Sequence, residues 1–163
     1  MSAYITGPIQ SVSGGTLSAV DATADTSKLG KRFYGLDATG NSAEFIYLKG
    51  ATSTIVGSVV TFDEAGATAL IAANAKGPVA VAMGIVDSST KGGWYCVQGT
   101  VPTDVVANCA DNDTLGRETT DGKVGNGFAS GDMIANFFSR AATTGAAVIN
   151  CQIDHGFVSD NLG

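Results

Sequence analysis

Hydrophobic and polar residues alternate with a period of two along much of this chain, which is the spacing of a β-strand buried on one face. The clearest example is the segment 146–155, where Ala147, Ile149, Cys151 and Ile153 share one face and mostly polar residues share the other. Adjacent residues of a strand point to opposite faces. We therefore predict a half-buried strand at this segment.

Two other stretches predict β-hairpins. The longer one joins the apolar arm Val79–Val86 to the aromatic arm Trp94–Gly99 through a link at 87–93 that is rich in Asp, Ser and Gly. The other joins Arg32–Leu36 to Ala43–Leu48 through an Asp-Ala-Thr-Gly-Asn turn. β-Branched and aromatic residues fit a pleated sheet, whereas Asp, Asn, Ser and Gly are typical of turns.

Weaker strand signals fill the rest of the chain. The segment Thr68–Ala75 leaves helix and strand open, because its alanines favour a helix while its short length and flanking glycines favour a strand; the pattern leans to a strand. The polar segment Asp104–Asn126 predicts a meander with short strands at 105–106 and around Val124. Two more strands are predicted at Gly57–Phe62 and at Met133–Ala141, the latter as the partner of the segment 146–155.

The first 30 residues differ from the rest. They are rich in Ser, Thr, Gly and Ala, and isolated apolar residues such as Tyr4, Ile5 and Ile9 are spaced too widely to form a helix face. We interpret residues 1–30 as an extended arm that lies along the body or reaches a neighbouring subunit. The sequence therefore predicts an all-β protein, with a hairpin-rich β-sandwich or β-barrel-like body at 31–163 and an extended N-terminal arm.

Composition and charge add an expectation about partners. Of the 163 residues 44% are hydrophobic, but many of these are alanine and 22 residues are glycine, so large side chains are few and assembly would help stability. The formal net charge of −6 argues against a nucleic-acid binder. The only basic cluster, Lys28, Lys31 and Arg32, is interpreted as a solvated or partner-facing patch.

Cysteine usage and the N-terminus bear on the cellular compartment. Cys96, Cys109 and Cys151 are odd in number and lack the spacing of a zinc site, so neither a disulfide framework nor a metal centre is predicted. This pattern is typical of assembly in a reducing cytoplasm. The first residues show no signal peptide, and no apolar run approaches membrane-spanning length.

Residues that could carry chemistry are few. His155, the only histidine, is interpreted as structural, with a hydrolase pairing it to Cys109 or Cys151 as a remote alternative. Asp111, Asp113 and Asp121 are the candidates for a loose cation site, although the surrounding loop lacks two of the ligands of a calcium-binding loop.

Two further patterns are a glycine-rich stretch and a set of adjacent aromatic pairs. The glycine-rich stretch 122–132 lacks the Gly-Lys-Ser/Thr ending of a phosphate-binding loop, so its glycines are interpreted as turn residues. Three adjacent aromatic pairs should each direct one ring to the core and the other to a second layer or to a subunit contact. These pairs are Phe33–Tyr34, Trp94–Tyr95 and Phe137–Phe138.

Four glycine-punctuated segments together carry a resemblance to a known family. The segments Asp37–Gly50, Gly57–Phe62, Gly77–Met83 and Gly92–Gly99 resemble the head decoration, or capsid cement, proteins of tailed bacteriophages, particularly short-tailed phages. The resemblance covers roughly residues 31–158 and rests on structural glycines and strand patterns.

The resemblance implies a structural protein of the virion, not an enzyme. Such a protein assembles in the host cytoplasm, binds the outer surface of the capsid, often as a homotrimer, and reinforces contacts between subunits of the major capsid protein. Its expected partners are the major capsid protein and itself, with no cofactor, nucleic acid or membrane. The residues expected to make contacts are Tyr4, Ile5 and Ile9 of the arm, the basic residues Lys28, Lys31 and Arg32, and Trp94 or Tyr95.

Two alternatives stay open. A head-fibre or tail-associated protein would share the same fold and composition. A carbohydrate-binding β-sandwich would use an exposed Trp94 and nearby aspartates to stack against a sugar and to hydrogen-bond it.

Overall fold

The structure, a computed structural model, describes residues 4–5, 17–129 and 131–159. Within these ranges the chain forms β-strands and no helix, and backbone pairing connects the strands into one mixed sheet. The all-β class predicted from the sequence is therefore confirmed. In chain order the strands are β1 (Tyr4–Ile5), β2 (Val20–Asp21), β3 (Arg32–Leu36), β4 (Ser42–Lys49), β5 (Val59–Phe62), β6 (Thr68–Leu70), β7 (Gly77–Ala82), β8 (Gly92–Val105), β9 (Thr114–Arg117), β10 (Val124–Gly125), β11 (Met133–Ser139) and β12 (Ala147–Val158).

The long strand β8 organises the sheet. This strand is 14 residues long, and its pairing partner on one edge changes near Gly99. Gly99 has a φ of 135°, a conformation that residues with a side chain rarely adopt. Before this point β8 pairs with β4, from Gln98 opposite Glu44 onward to Gly92. After it β8 pairs with β12 as far as Val105. One continuous strand thus belongs to both halves of the sheet.

The second half of β8 is part of a closed ring of strands. β8 pairs with β12, β12 with β11, β11 with β9 and β9 with β10, and β10 returns to β8 as a parallel partner at Val124 and Val105. Closure of a sheet in this way removes exposed edges. The body is therefore barrel-like at this end.

The first half of β8 carries the hairpins that the sequence predicts. β3 and β4 form the first hairpin, and β7 pairs with β8 at Val81–Cys96, which confirms the central part of the longer hairpin. β5 and β6 extend the sheet beyond β7, so the strand interpretation of the segment 68–75 holds for Thr68–Leu70. The strand β9 was not predicted.

The sheet is covered on both faces near β8. Along β4, Phe45 and Tyr47 join one buried cluster, whereas Ile46 and Leu48 join another. Trp94 lies in the first cluster, edge-on to Phe33 and to Tyr47, with ring centroids 5.0 and 5.3 Å apart. Two cores on opposite faces explain why β4 and β8 are buried along most of their length.

Residues 17–30, called the strap below, lie along the body. Leu17 is buried in the main core, and β2 pairs with Gly92 and Gly93 of β8. The hydroxyl of Tyr47 donates a 2.5 Å hydrogen bond to Asp21 Oδ2 and accepts one from the backbone N–H of Asp25 at 3.2 Å. The part of the predicted arm from Leu17 onward is therefore bound to its own chain.

Strand β12 contains a bulge opposite β11. One residue of β11, Asn136, lies opposite the three residues 154–156 of β12, and both Asn136 and His155 have positive φ, 56° and 49°. The predicted alternation of buried and exposed side chains in the segment 146–155 is therefore present up to Ile153. It ends at the bulge, where the consecutive residues Asp154 and His155 are both exposed. Beyond the bulge β12 pairs with β7.

Candidate contact surface

Three exposed hydrophobic side chains lie on the loops that follow β4 and β7. Ile85, Ile55 and Val56 are 55%, 48% and 39% exposed. Val56 and Ile85 line a shallow cavity of about 450 Å³ together with Val20 and Ala22 of the strap. We call this cavity the apolar groove. Grouped exposed hydrophobic residues on a soluble domain commonly mark an interaction site.

Two loops build the apolar groove, and backbone hydrogen bonds hold them together. The N–H of Ala51 donates to the carbonyl of Val86 at 3.1 Å, and the N–H of Gly57 donates to the carbonyl of Ala82 at 2.9 Å. Gly84 forms part of the wall, and a methyl group there would lie 2.9 Å from both Ser18 O and Val20 Cγ2. The groove is therefore shaped by fixed backbone, and the strap supplies one of its sides.

The apolar groove has a charged margin. Lys91 lies at the groove and pairs with Asp87, Nζ to Oδ1 at 2.6 Å. This pairing lowers the pKa of the exposed Asp87 carboxyl, chiefly through the hydrogen bond from Lys91. An apolar centre beside a charged margin is the usual arrangement of a protein interface.

The aromatic residues expected at a contact lie elsewhere. Trp94 and Tyr95 are 2% and 0% exposed, one in each core, so neither ring is presented at the surface. Tyr34, which belongs to another of the predicted aromatic pairs, is 67% exposed on β3. Residue Ile9 lies outside the described residues, and Tyr4 and Ile5 are described only as the backbone of β1, which pairs with Leu36 and Gly35 of β3.

The predicted basic cluster is largely neutralised within the chain. Lys28 Nζ lies 3.4 Å from carboxylate oxygens of both Asp21 and Asp25, and 5.5 Å from the ring centroid of Tyr47. Arg32 pairs with Glu44, Nη1 to Oε1 at 3.1 Å. Lys31 is exposed. The three cations therefore do not form an open basic patch.

His155 takes part in a polar network that joins β3, β4 and the bulge of β12. Its Nε2 lies 3.2 Å from Glu44 Oε2, and its Nδ1 lies 3.5 Å from Arg32 Nη1. The side chain of Glu44 is only 8% exposed, so these two partners compensate a nearly buried carboxylate. The sequence predicts one hairpin that contains Arg32 and Glu44, but no sequence pattern indicates that His155 joins them.

The cysteines are buried thiols without activation. All three are free, and burial raises the pKa of Cys96, Cys109 and Cys151, that of Cys151 to about 12. A nucleophilic thiol needs the opposite shift. Cys109 lines a second cavity, about 620 Å³, whose other walls are small or polar residues of the loops at 108–110 and 142–144.

In the loop predicted as a cation site, the Asp113 carboxylate accepts hydrogen bonds from within the chain. Asp113 Oδ2 accepts hydrogen bonds from the Ala110 N–H at 2.8 Å and from Asn126 Nδ2 at 2.6 Å. In the part of the chain that the structure describes, no three His, Cys, Asp or Glu residues are arranged to hold a metal ion. The glycine-rich stretch leads from β10 into β11, both strands, instead of into a helix.

The sequence does not predict the exposed residues Val56 and Ile85 of the apolar groove or the exposed Ile55 that precedes Val56. Ile55 and Val56 lie among threonine, serine and glycine, and Ile85 continues an apolar run, so each is typical of a strand. The signal that could have found them is Gly57 and Gly84, which mark backbone bends next to these residues.

Comparisons of the chain with models of protein families, with curated proteins and with solved structures found no match. Among the described residues there is no helix long and apolar enough to span a bilayer.

Proposed function

We propose that this protein decorates the outside of a tailed-phage capsid, where it binds the major capsid protein and reinforces contacts between capsid subunits. The proposal starts from the resemblance of four segments to head decoration proteins. The structural observation that supports it is the apolar groove, which the exposed Ile85 and Val56 line and next to which the exposed Ile55 precedes Val56, on a body of paired strands. A rigid body loses little conformational entropy when it docks.

Moderate affinity per copy suffices for this role. Completing the burial of a half-exposed Ile or Val side chain contributes on the order of 1 kcal/mol. Three such residues and their surroundings give a modest free energy of binding at one site. Many identical sites on a shell multiply it, particularly where copies are also linked to one another.

The test replaces an apolar contact by a charge at the groove. Ile85→Asp should weaken co-sedimentation with undecorated expanded capsids by about tenfold or more, because a carboxylate in a desolvated contact is costly. The matched control is Phe157→Asp, since Phe157 is 49% exposed on β12, lies outside the groove and has the uncharged Ala135 and Pro78 opposite it. Both variants should unfold at the same denaturant concentration as the wild type.

Two results would contradict the proposal at different levels. If Ile85→Asp and Phe157→Asp bind shells equally well, the apolar groove is not the contact. If the wild type does not co-sediment with shells at all, capsid decoration is wrong. A chain lacking residues 1–16 separates the arm from the body more cleanly than one lacking 1–30, because Leu17 belongs to the core.

Two experiments distinguish capsid decoration from the alternative functions, a head-fibre or tail-associated role and carbohydrate binding. A head-fibre or tail-associated protein would be found at the fibres or tail in negative-stain images of particles. The carbohydrate-binding alternative depends on an exposed Trp94, and that ring is buried. A glycan array tests any remaining sugar binding directly.

A further inference from the structure

The outer edge of β3 accepts an added strand. β1 pairs there in antiparallel orientation, with Tyr4 opposite Leu36 and Ile5 opposite Gly35. In the strand order β1 is outermost and β3 is its only strand partner among the described residues. The position of β1 is therefore defined by two residue pairs on one edge.

An exposed aromatic residue adjoins this edge. Tyr34 precedes Gly35 on β3 and is the most exposed large hydrophobic side chain of the described residues, at 67%, although β1 is in place. A strand supplied by the chain itself thus leaves Tyr34 open to solvent. A strand supplied by a neighbour brings a second body to the same edge, and that body can cover the ring.

The chain has the reach for such an exchange. β1 lies at the Ser42 end of β4, whereas the strap meets β8 opposite Leu48 and Lys49. Strand rise and strand spacing put these places about 25 Å apart. The residues between Ile5 and Leu17 can span about 40 Å. The contour length of this connection is therefore compatible with pairing to the edge of a neighbouring copy within about 40 Å.

We infer that the outer edge of β3 binds the Tyr4–Ile5 strand of a second copy of this chain, in the register seen here. Every backbone pair of β1 and β3 is kept when the strand is exchanged, so the exchange costs little and gains the contact over Tyr34. The inference does not depend on capsid binding, because purified protein is sufficient to test it.

The test uses one engineered cysteine in each of two differently tagged chains. Residues directly opposite in an antiparallel ladder have Cα atoms about 4.5–5.5 Å apart, within the range of a disulfide. Tyr4→Cys and Leu36→Cys chains are co-expressed and then oxidised; the native cysteines are buried and stay in place. The control couples Tyr4→Cys with Val148→Cys, which is exposed on β12 and pairs opposite Asp104 of β8.

We expect a disulfide between the two tagged chains in a yield about tenfold above that of the control pair. A single chain carrying both Tyr4→Cys and Leu36→Cys should then form linked oligomers. If that chain instead closes on itself as a monomer, or if no disulfide forms in either experiment, the inference is wrong. As a second measurement, deletion of residues 1–5 should lower the sedimenting mass of the wild type; an unchanged mass also overturns it.

Discussion

At the scale of single residues, Asp37 fastens the first hairpin to the centre of the sheet. Its Oδ1 accepts hydrogen bonds from the backbone and the hydroxyl of Thr39 and from the Asn41 N–H, and its Oδ2 accepts one from the Thr100 N–H at 2.8 Å. Burial by itself raises the pKa of this carboxyl. The hydrogen bonds outweigh burial and hold the pKa of Asp37 below its ordinary value.

Asp37→Asn should lower the free energy of unfolding by about 1–3 kcal/mol at pH 7, because an amide nitrogen in place of Oδ2 would face the Thr100 N–H. The lowered pKa means that the ionised carboxyl stabilises the fold above the pKa of the unfolded state, about 3.9. Below that pH the advantage of Asp37 over asparagine should shrink. Denaturant titrations at pH 7 and below pH 4 measure both effects.

Asp63→Asn is the control for this prediction. The hydrogen bonds of Asp63 come from Ala65 and Ala67 to Oδ1, an oxygen that asparagine keeps. Its effect on stability should stay within about 0.5 kcal/mol. Equal effects of the two substitutions would contradict a special role for the bond from Asp37 to Thr100.

The aromatic residues illustrate what a sequence tells about single positions. Period-two alternation predicts that the two rings of each adjacent pair point to opposite faces of the sheet, and Phe33 and Tyr34 do so with one ring packed against the core and one exposed. Trp94 and Tyr95 also point to opposite faces, and here both rings are buried because β8 has a core on each face, which is the second-layer alternative of the prediction. Coverage of the second face is a property of the tertiary structure, so the local pattern of β8 cannot reveal it.

At the scale of elements, the strap depends on close backbone approach at Gly92. A methyl group at Gly92 would lie 2.6 Å from Tyr47 Cζ and 2.9 Å from Ala24 Cα. Gly92→Ala should therefore displace the strap and destabilise the protein by about 1–3 kcal/mol. Unfolding followed by the fluorescence of Trp94, the only tryptophan, measures this, since Trp94 contacts Tyr47 edge-on.

Gly145→Ala is the matched substitution at an unrestricted position. Gly145 lies in the turn between β11 and β12, with nothing within 4 Å of an added methyl group and no positive φ. It should change stability by less than about 0.5 kcal/mol. A Gly92→Ala variant as stable as Gly145→Ala would show that the strap is not packed as described.

Some strands could be predicted from the sequence and others could not. Hairpins with clear turn residues, such as 32–48, were found because turn chemistry and alternation agree locally. The strand β9 was missed, since its Thr-Leu-Gly-Arg sequence lacks β-branched runs and is strand only through its neighbours β10 and β11. The bulge at His155 was missed because it follows from a change of pairing partner.

At the scale of the whole molecule, β8 makes the two halves of the sheet one unit. It pairs with β4 before Gly99 and with β12 after it, so neither half keeps its central strand if the other opens. We expect one cooperative unfolding transition. Fluorescence of Trp94, which lies in the first half of β8, and far-ultraviolet circular dichroism of all strands should give coincident unfolding curves. Two separated transitions would contradict this expectation.

The sharing of β8 also bears on how the sequence is free to diverge. A substitution on β8 alters the packing of two neighbourhoods at once, so a change suited to one has to be tolerated by the other. A substitution at Gly145 does not affect two packed regions, since no atom lies within 4 Å of a Cβ added there. Over evolutionary time, peptide insertions and rapid drift should therefore collect in that turn, while β8 changes slowly.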